Sequence, residues 1–366
     1  MRHILAVLVV LFGFAGAVKA TEILDNEKMI KLAKSGLEED IILKKLDRDT
    51  CNFNMSTDEI VKLKEAGVSG RILMKMMEKM DTQVNKIRVD IEMQVQILRT
   101  SNADEYAKAV KKLKAYGAQA VPVLAGHLAD TDEVIRAGVA EALGEIGDAS
   151  ARPMLMDALN DDHPTVRIKA GKAVSAMSDA ETADKLLKWI KTPGHHRDGA
   201  CLALGYLRDK QAVEPLTALL DDHLAADDDR AAAVFALGLI GDAGSLDKLM
   251  DALLNSPSDK VRENAAKAVG RIGPYAGKEA KENAAKTLTR AYERYPQNRA
   301  VIAAVLGDFA LGPVIETLID GLQDNNPEVS DACYKSLRAI TGETLGRTYD
   351  EWSSWWALSK VRYQVQ

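Results

Sequence analysis

Six arginines at a nearly constant interval constrain this 366-residue chain more than any other feature. Arg136, Arg167, Arg197, Arg230, Arg262 and Arg299 are separated by 31, 30, 33, 32 and 37 residues, and Ser330 takes the next slot 31 later. Each stands in a segment that repeats its neighbours: "VIRAGVAEALGEIGD" (134–148), "TVRIKAGKAVSAMSD", "HRDGACLALGYLRD", "DRAAAVFALGLIGD" and "VRENAAKAVGRIG". Self-similarity at a period of about 30 residues means stacked supersecondary units, each burying its apolar face against the next, rather than one globular core.

Every unit follows one grammar. An A helix, often entered through a proline (Pro122, Pro153, Pro215, Pro313) whose missing N–H costs little at a helix start, carries leucines at helical spacing, as in "PLTALL" and "PVIETLIDGL". An acidic turn leads into a B helix rich in Ala, which permits close helix approach, and "LGxIG" ends it on a glycine stop.

The stretch "AVPVLAGHLADTDEVIRAGVAEALGEIGD" (120–148) resembles the HEAT-like repeat of the short, phycobilisome-lyase-like type, and the pattern extends over roughly two-thirds of the chain. This resemblance implies an all-α fold, a right-handed α-α superhelix with the B helices lining its concave side. It also implies pairing between a turn Asp and the recurrent Arg. Residues 191–199, interrupted by Pro193, Gly194, His195 and His196, and residues 273–298, longer than a standard unit, depart from the pattern.

A second duplication precedes the array. "MIKLAKSGLEEDIILKKL" (29–46) returns as "IVKLKEAGVSGRILMKMM" (60–77) at an offset of 31, matching Ile30 with Val61, Leu32 with Leu63, Gly36 with Gly67 and Ile41 with Ile72. Each copy reads as helix, left-handed glycine turn, helix. Ser56 with Glu59 three residues on predicts a capping box between the copies. Met74, Met76, Met77 and Met80 are read as core, with an adaptable partner surface as the alternative. Similar duplicated segments occur near the N-termini of other exported bacterial proteins. From Asp81 to Thr100 no Gly or Pro intervenes, and Val84, Ile87, Ile91, Val95 and Leu98 keep helical spacing. The expected organisation is therefore a leader at 1–20, a duplicated helical unit at 21–80, a connecting helix at 81–102, repeats at 103–347 and a capping helix at 348–366.

The leader expectation rests on Arg2, the uncharged apolar run Ile4 to Val18 and the Val18-Lys19-Ala20 site. The run falls short of the about 20 residues of a comfortable membrane span. A cleaved secretory signal is expected, with retention as an anchor the alternative, and so a periplasmic or extracellular location without an integral span. A net charge of −6 lacks the positive excess of a chain that binds nucleic acid through phosphates. Cys51, Cys201 and Cys333 are too few and too scattered for a disulfide framework or a CxxC metal site; they read as packing residues, one disulfide remaining open.

Candidate chemistry is sparse. The arginine ladder reads as inter-repeat hydrogen bonding rather than an anion stripe. The acidic turns at Asp130, Asp132, Asp161, Asp162, Asp228 and Asp229 read as helix starts. His163 and His223 sit in equivalent turns without a metal-ligand spacing. His195 and His196 read as loop residues. The chain has no His-Glu dipeptide of the kind an iron-binding HEAT enzyme uses, and no nucleophile elbow, P-loop or dinucleotide fingerprint. No cofactor is expected.

The sharper signal is the free face of the B helices, taken two, five and nine residues after each ladder position. It is mostly polar: Gly138, Glu141, Glu145; Lys169, Lys172, Ala176; Asn264, Lys267, Arg271. In the two central repeats it becomes Gly199, Leu202, Tyr206 and Ala232, Phe235, Leu239. An apolar patch of Leu202, Tyr206, Phe235 and Leu239 rimmed by Lys172, Lys267 and Arg271 is therefore expected, and with it a protein or peptide partner and a non-enzymatic scaffold role. The alternatives are a cofactor-handling enzyme around Tyr206, Arg197, His195 and His196, and a structural envelope protein associating through the Met-rich unit. At the far end, "TGETLGRTYDEWSSWW" (341–356) offers a capping box at Thr348 and Glu351 and puts Trp352, Trp355 and Trp356 on one helix face. They are expected to cover the last repeat, and the tail resembles the ends of other exported HEAT-repeat proteins.

Overall fold

The computed structural model describes residues 23–192, 197–222 and 224–364. The leader and the residues Pro193, Gly194, His195, His196 and His223 lie outside the described residues. The chain divides into two compact units, residues 1–90 and 91–366.

In the first unit, α1 (Asn26–Lys34), α2 (Glu39–Arg48), α3 (Thr57–Glu65) and the start of α4 (Gly70–Ile97) surround a core that includes Met29, Leu46, Phe53, Leu63 and Met76. Gly36 and Gly67 make the turns at φ +74° and +92°. Those values lie in the left-handed region that a side chain disfavours. The two copies do not bury the same positions. Ile72 is 3% exposed but its counterpart Ile41 is 48% exposed, and α2 buries Ile42 and Leu46 instead. Three expectations need correction. Ser56 stands at the start of α3 without a side-chain cap, and the Glu59 carboxylate that would complete the box is taken by Lys62 and Asn26. Met76 is buried, whereas Met74 and Met77 are exposed. No helix boundary falls at residue 80, since nothing in the sequence breaks α4 before Ile97.

The second unit alternates two layers. After α5 (Ala103–Tyr116), helices α6 (Val121–His127) and α7 (Glu133–Ile146) form the first A/B pair, followed by α8 (Arg152–Ala158) with α9 (Pro164–Ala176). Next come α10 (Ala180–Lys191) with α11 (Arg197–Leu207), α12 (Val213–Asp221) with α13 (Asp227–Ile240), and α14 (Leu246–Asn255) with α15 (Asp259–Ile272). The series continues with α16 (Lys278–Arg294) and α17 (Arg299–Leu306), then α18 (Gly312–Asp320) and α19 (Pro327–Thr341), and ends with α20 (Tyr349–Ser359) and α21 (Val361–Gln364). Each B helix packs on its own A helix and on the next B helix, so α7, α9, α11, α13, α15, α17 and α19 form a continuous row. The fold is an all-α solenoid.

Two glycines of "LGxIG" do different work. The second stops the helix: Gly147 and Gly241 take φ +73° and +75° and return their N–H to Leu143 and Leu237. In α11 the stop is Arg208, held at φ +55°. The first glycine sets the spacing of the row. A Cβ on Gly144 would lie 2.7 Å from Ala173, on Gly205 2.7 Å from Cα of Ala236, on Gly238 2.8 Å from Ala268, and on Gly270 2.5 Å from Val305. These distances are too short for carbon, so at each glycine the helix packs directly on its neighbour, with an alanine opposite Gly144, Gly205 and Gly238 and the Val305 side chain opposite Gly270. Gly205→Val is expected to lower unfolding free energy by about 3 kcal/mol, the upper part of the usual range for overpacking. Chemical denaturation measures this, and a loss under about 1 kcal/mol contradicts the contact.

Candidate partner-binding groove

The B helices are locked to one another by the ladder arginines. The Arg136 guanidinium donates to the Asp161 carboxylate at 2.7 and 2.9 Å, Arg197 to Asp222 at 3.1 Å and Arg299 to Asp324 at 3.0 Å, in each case a residue 25 positions on. The acid of an arginine's own turn contributes differently. Arg136 donates to the carbonyl of Asp130, and Arg167 to those of Asp161 and Asp162. Arg136 and Arg167 thus tie the backbone of their own turns to a later side chain.

Where the regular acid is missing the arginine finds another partner. Arg167 lies 2.5 Å from Asp198, Arg230 pairs with Asp227 at 2.5 Å, and Arg262 pairs with Asp259 and donates to Asn298 at 3.2 Å with its guanidinium over the Tyr295 ring. Arg167, Asp198, Arg197 and Asp229 are all buried. Arg197 reaches Asp229 at 3.1 Å, and Asp229 also accepts from the Asp198 N–H.

Above these pairs runs a groove of about 300 Å³ over α9, α11, α13 and α15. Leu202, Ala231, Ala232 and Phe235 line it with Ile168, and Asp228, Lys260, Glu263 and Asn264 carry its polar edge. Lys260 bridges to Asp228 at 2.6 Å, and Asp228 is 3.7 Å from Arg167. The second residues of α11, α13 and α15 (Asp198, Asp228, Lys260) thus form one charged row beside an apolar floor.

The expected patch is changed in several ways. Leu202 and Phe235 do line one depression, but Leu202 is only 7% exposed because α9 presents Gly171, where an added Cβ would come 3.1 Å from the Leu202 Cβ. Tyr206 and Leu239 are half-buried and stand outside the groove. The Tyr206 ring meets Phe235 edge-on at 6.0 Å, and burial raises its hydroxyl pKa. Of the expected rim, Arg271 covers Phe235 at 5.4 Å, Lys267 pairs with Glu263 at 2.5 Å, and Lys172 belongs to a separate small depression with Glu141 and Lys169. Gly199 is a packing residue, since a Cβ there would strike the Leu159 carbonyl oxygen. The groove therefore sits nearer the N-terminal ends of the B helices than the sequence implies. Ile168, Asp228, Lys260 and Glu263 are the residues sequence reasoning missed. A stripe that also took the positions two before and one after each ladder arginine would have reached them.

Elsewhere on the same face Glu141 accepts from Tyr106 at 2.5 Å and Lys169 at 2.7 Å. Burial works to raise the Glu141 pKa, but these two partners hold it below the usual value. All three cysteines are free and buried; burial pushes the Cys333 thiol up to about 11 and Cys201 well above its ordinary value. Among the described residues no group of three or more His, Cys, Asp or Glu is arranged to hold a metal ion. No helix among them is long and apolar enough to cross a membrane.

At the C-terminal end Thr348 and Glu351 form the capping box of α20. Trp352 is fully buried, its N–H donating to the Gly346 carbonyl at 2.8 Å and its ring 6.5 Å from Tyr334 of α19. Trp356 packs beside Gly312 of α18 and donates to Glu316 at 3.1 Å, while Trp355 is half-buried and donates to Glu343.

A row of B helices joined by arginine–aspartate bonds, with a mixed apolar and charged groove along it, defines a repeat-built solenoid. The family model for HEAT repeats matches residues 91–174, 128–197, 152–228, 191–270 and 224–294, and the chain belongs to this family. A phycocyanin operon protein Z from Pseudanabaena tenuis (strain PCC 7409) is 26% identical over 170 residues, 44% of this chain and 84% of that protein. Deoxyhypusine hydroxylase-B of Oryza sativa subsp. japonica is 25% identical over 237 residues, 64% of this chain and 75% of that enzyme. Among solved structures, the complex of CpcE and CpcF of phycocyanin lyase from Nostoc sp. PCC7120 is similar at 18% identity and a TM-score of 0.36, covering 68% of this chain and 94% of that chain.

The ladder has a pH signature. Burial works to raise the pKa of Asp161, yet Arg136 and the His163 N–H hold it below the ordinary carboxylate value; Asp222 is likewise lowered by the N–H of Leu224 and by Arg197. A carboxylate with a lowered folded pKa contributes stability above its unfolded value of about 3.9 and loses it as pH falls toward the folded one. Melting temperature is therefore expected to fall as pH drops below about 4. In Arg136→Met, with Asp161 no longer paired, the neutral-pH stability is lower by about 1–3 kcal/mol and the acid-induced fall is shallower. An acid profile parallel to that of the native protein contradicts this.

Proposed function

We propose that this protein is an exported, non-enzymatic scaffold that binds a protein or peptide along the B-helix face, over α9, α11, α13 and α15. The observation that carries the proposal is the groove itself. Phe235, Ile168 and the Ala231–Ala232 pair offer an apolar floor, and Asp228, Lys260 and Glu263 stand beside it with half or nearly half of each side chain in solvent. A floor of this kind takes an apolar side chain of a partner, and flanking charges of both signs fix its register more than its affinity. The rigid base beneath is supplied by Arg167–Asp198 and Arg197–Asp229, so binding needs little ordering of the protein.

Export is supported by the leader pattern at residues 1–20. The scaffold reading is supported by the shape of the surface, a long face built from the continuous row of B helices.

Phe235→Lys combined with Lys260→Glu tests the proposal. Both positions retain solvent exposure, whereas a charge at the buried Leu202 would disturb folding. Affinity capture from the envelope fraction of the producing cell is expected to recover a partner with the native chain and at least about tenfold less with the double variant, a loss consistent with one groove anchor. The variant should keep its helical circular dichroism. Equal recovery by a folded variant overturns the proposal.

A further inference from the structure

A second cleft, of about 600 Å³, lies away from the groove, between α16, the start of α18 and the terminal helices. Its origin is the length of α16. That helix has 17 residues, whereas the A helices before it have 7 to 12. Ala284, Ala285, Leu288 and Ala291 bury one side of α16. Lys278, Lys286 and Arg290, spaced by multiples of four, are exposed on another and line the cleft with Glu282.

The facing wall is aromatic. The Trp356 and Tyr363 rings stand 5.7 Å apart, and both line the cleft. The Trp356 N–H is already used by Glu316, so the indole offers its ring rather than a donor. Gly312 keeps the floor recessed, since any side chain there would begin 3.8 Å from the Trp356 ring. The cations are the second observation. Most cations along the B-helix row are paired, but Lys278, Lys286 and Arg290 form no ion pair or hydrogen bond with any described residue. Unpaired positive charge facing two aromatic rings inclined to one another by 47°, in a cleft of small-molecule size, matches a ligand with a ring on one side and negative charge on the other.

We propose that this cleft binds a planar organic anion, a conjugated ring system bearing a carboxylate or comparable acidic group. The rings lie against Trp356 and Tyr363, and the acidic group meets Lys286 and Arg290. The site is independent of the partner groove over α9 to α15.

The test is a fluorescence titration of the full chain with 8-anilino-1-naphthalenesulfonate, a planar aromatic anion, beside N-phenyl-1-naphthylamine, which has the same rings and no charge. The native protein is expected to bind the anion saturably at one site. Binding should be at least about tenfold weaker in Lys286→Glu/Arg290→Glu, intermediate in Lys286→Gln/Arg290→Gln, and unchanged in Phe235→Lys, because the charge-assisted contacts lie on α16 alone. The neutral probe should show no such dependence on the two cations. The proposal is overturned if the anion does not saturate, if native and charge-reversed proteins bind it equally, or if only Phe235→Lys abolishes binding.

Discussion

Everything in the repeat unit depends on how closely one B helix approaches the next. Gly144, Gly205, Gly238 and Gly270 occupy the same place in four of the five B helices from α7 to α15, Ser175 taking it on α9, and at each glycine a single added carbon would overlap the neighbouring helix. Contact at backbone distance brings the Ala-rich faces together, excludes water from the row and fixes the rotation between units. Ladder bonds such as Arg136 to Asp161 then have a constant span to bridge. A looser row would leave those guanidinium groups reaching across solvent, where an ion pair is worth little.

The groove follows from local departures within that regular frame. Where a repeat lacks the usual acid, Arg167 turns to Asp198, and the charged row at the starts of α11, α13 and α15 is built from this substitution. Where the stripe carries Leu202 and Phe235 instead of charge, the same row acquires an apolar floor. The ends are handled with other residues. The buried Trp352 and Trp356 lie on a helix begun by the Thr348–Glu351 capping box, and they pack against Tyr334 of α19 and Gly312 of α18.

Much of this architecture is legible in the sequence because it is periodic. The arginine interval, the Pro-led A helices, the glycine stops and the box at Thr348 are local signals, and each has a local structural consequence. What escapes is set by neighbours distant in the chain. Nothing in the string "LG" distinguishes a glycine that stops a helix from one that accepts another backbone. Leu202 reads as exposed because its cover, the absence of a side chain at Gly171, belongs to the previous repeat. Ser56 and Glu59 have the spacing of a capping box, yet Asn26 and Lys62 claim the carboxylate. The equivalent box at Thr348 has no such competitor and forms. Likewise the extra length of α16 is visible as an oversized repeat, but the cleft it opens depends on where Trp356 and Tyr363 come to rest.

The central claim is that the working surface is the B-helix row and not the outer layer. Site-specific photo-crosslinking in the producing cell examines it most directly, with the photoreactive residue placed either at Ile168, which lines the groove, or at Lys185, on an exposed side of α10. The account predicts a discrete protein adduct from position 168 that disappears when Phe235→Lys is added, and none from position 185. Equal adducts from both positions, or an adduct from 185 alone, would contradict it.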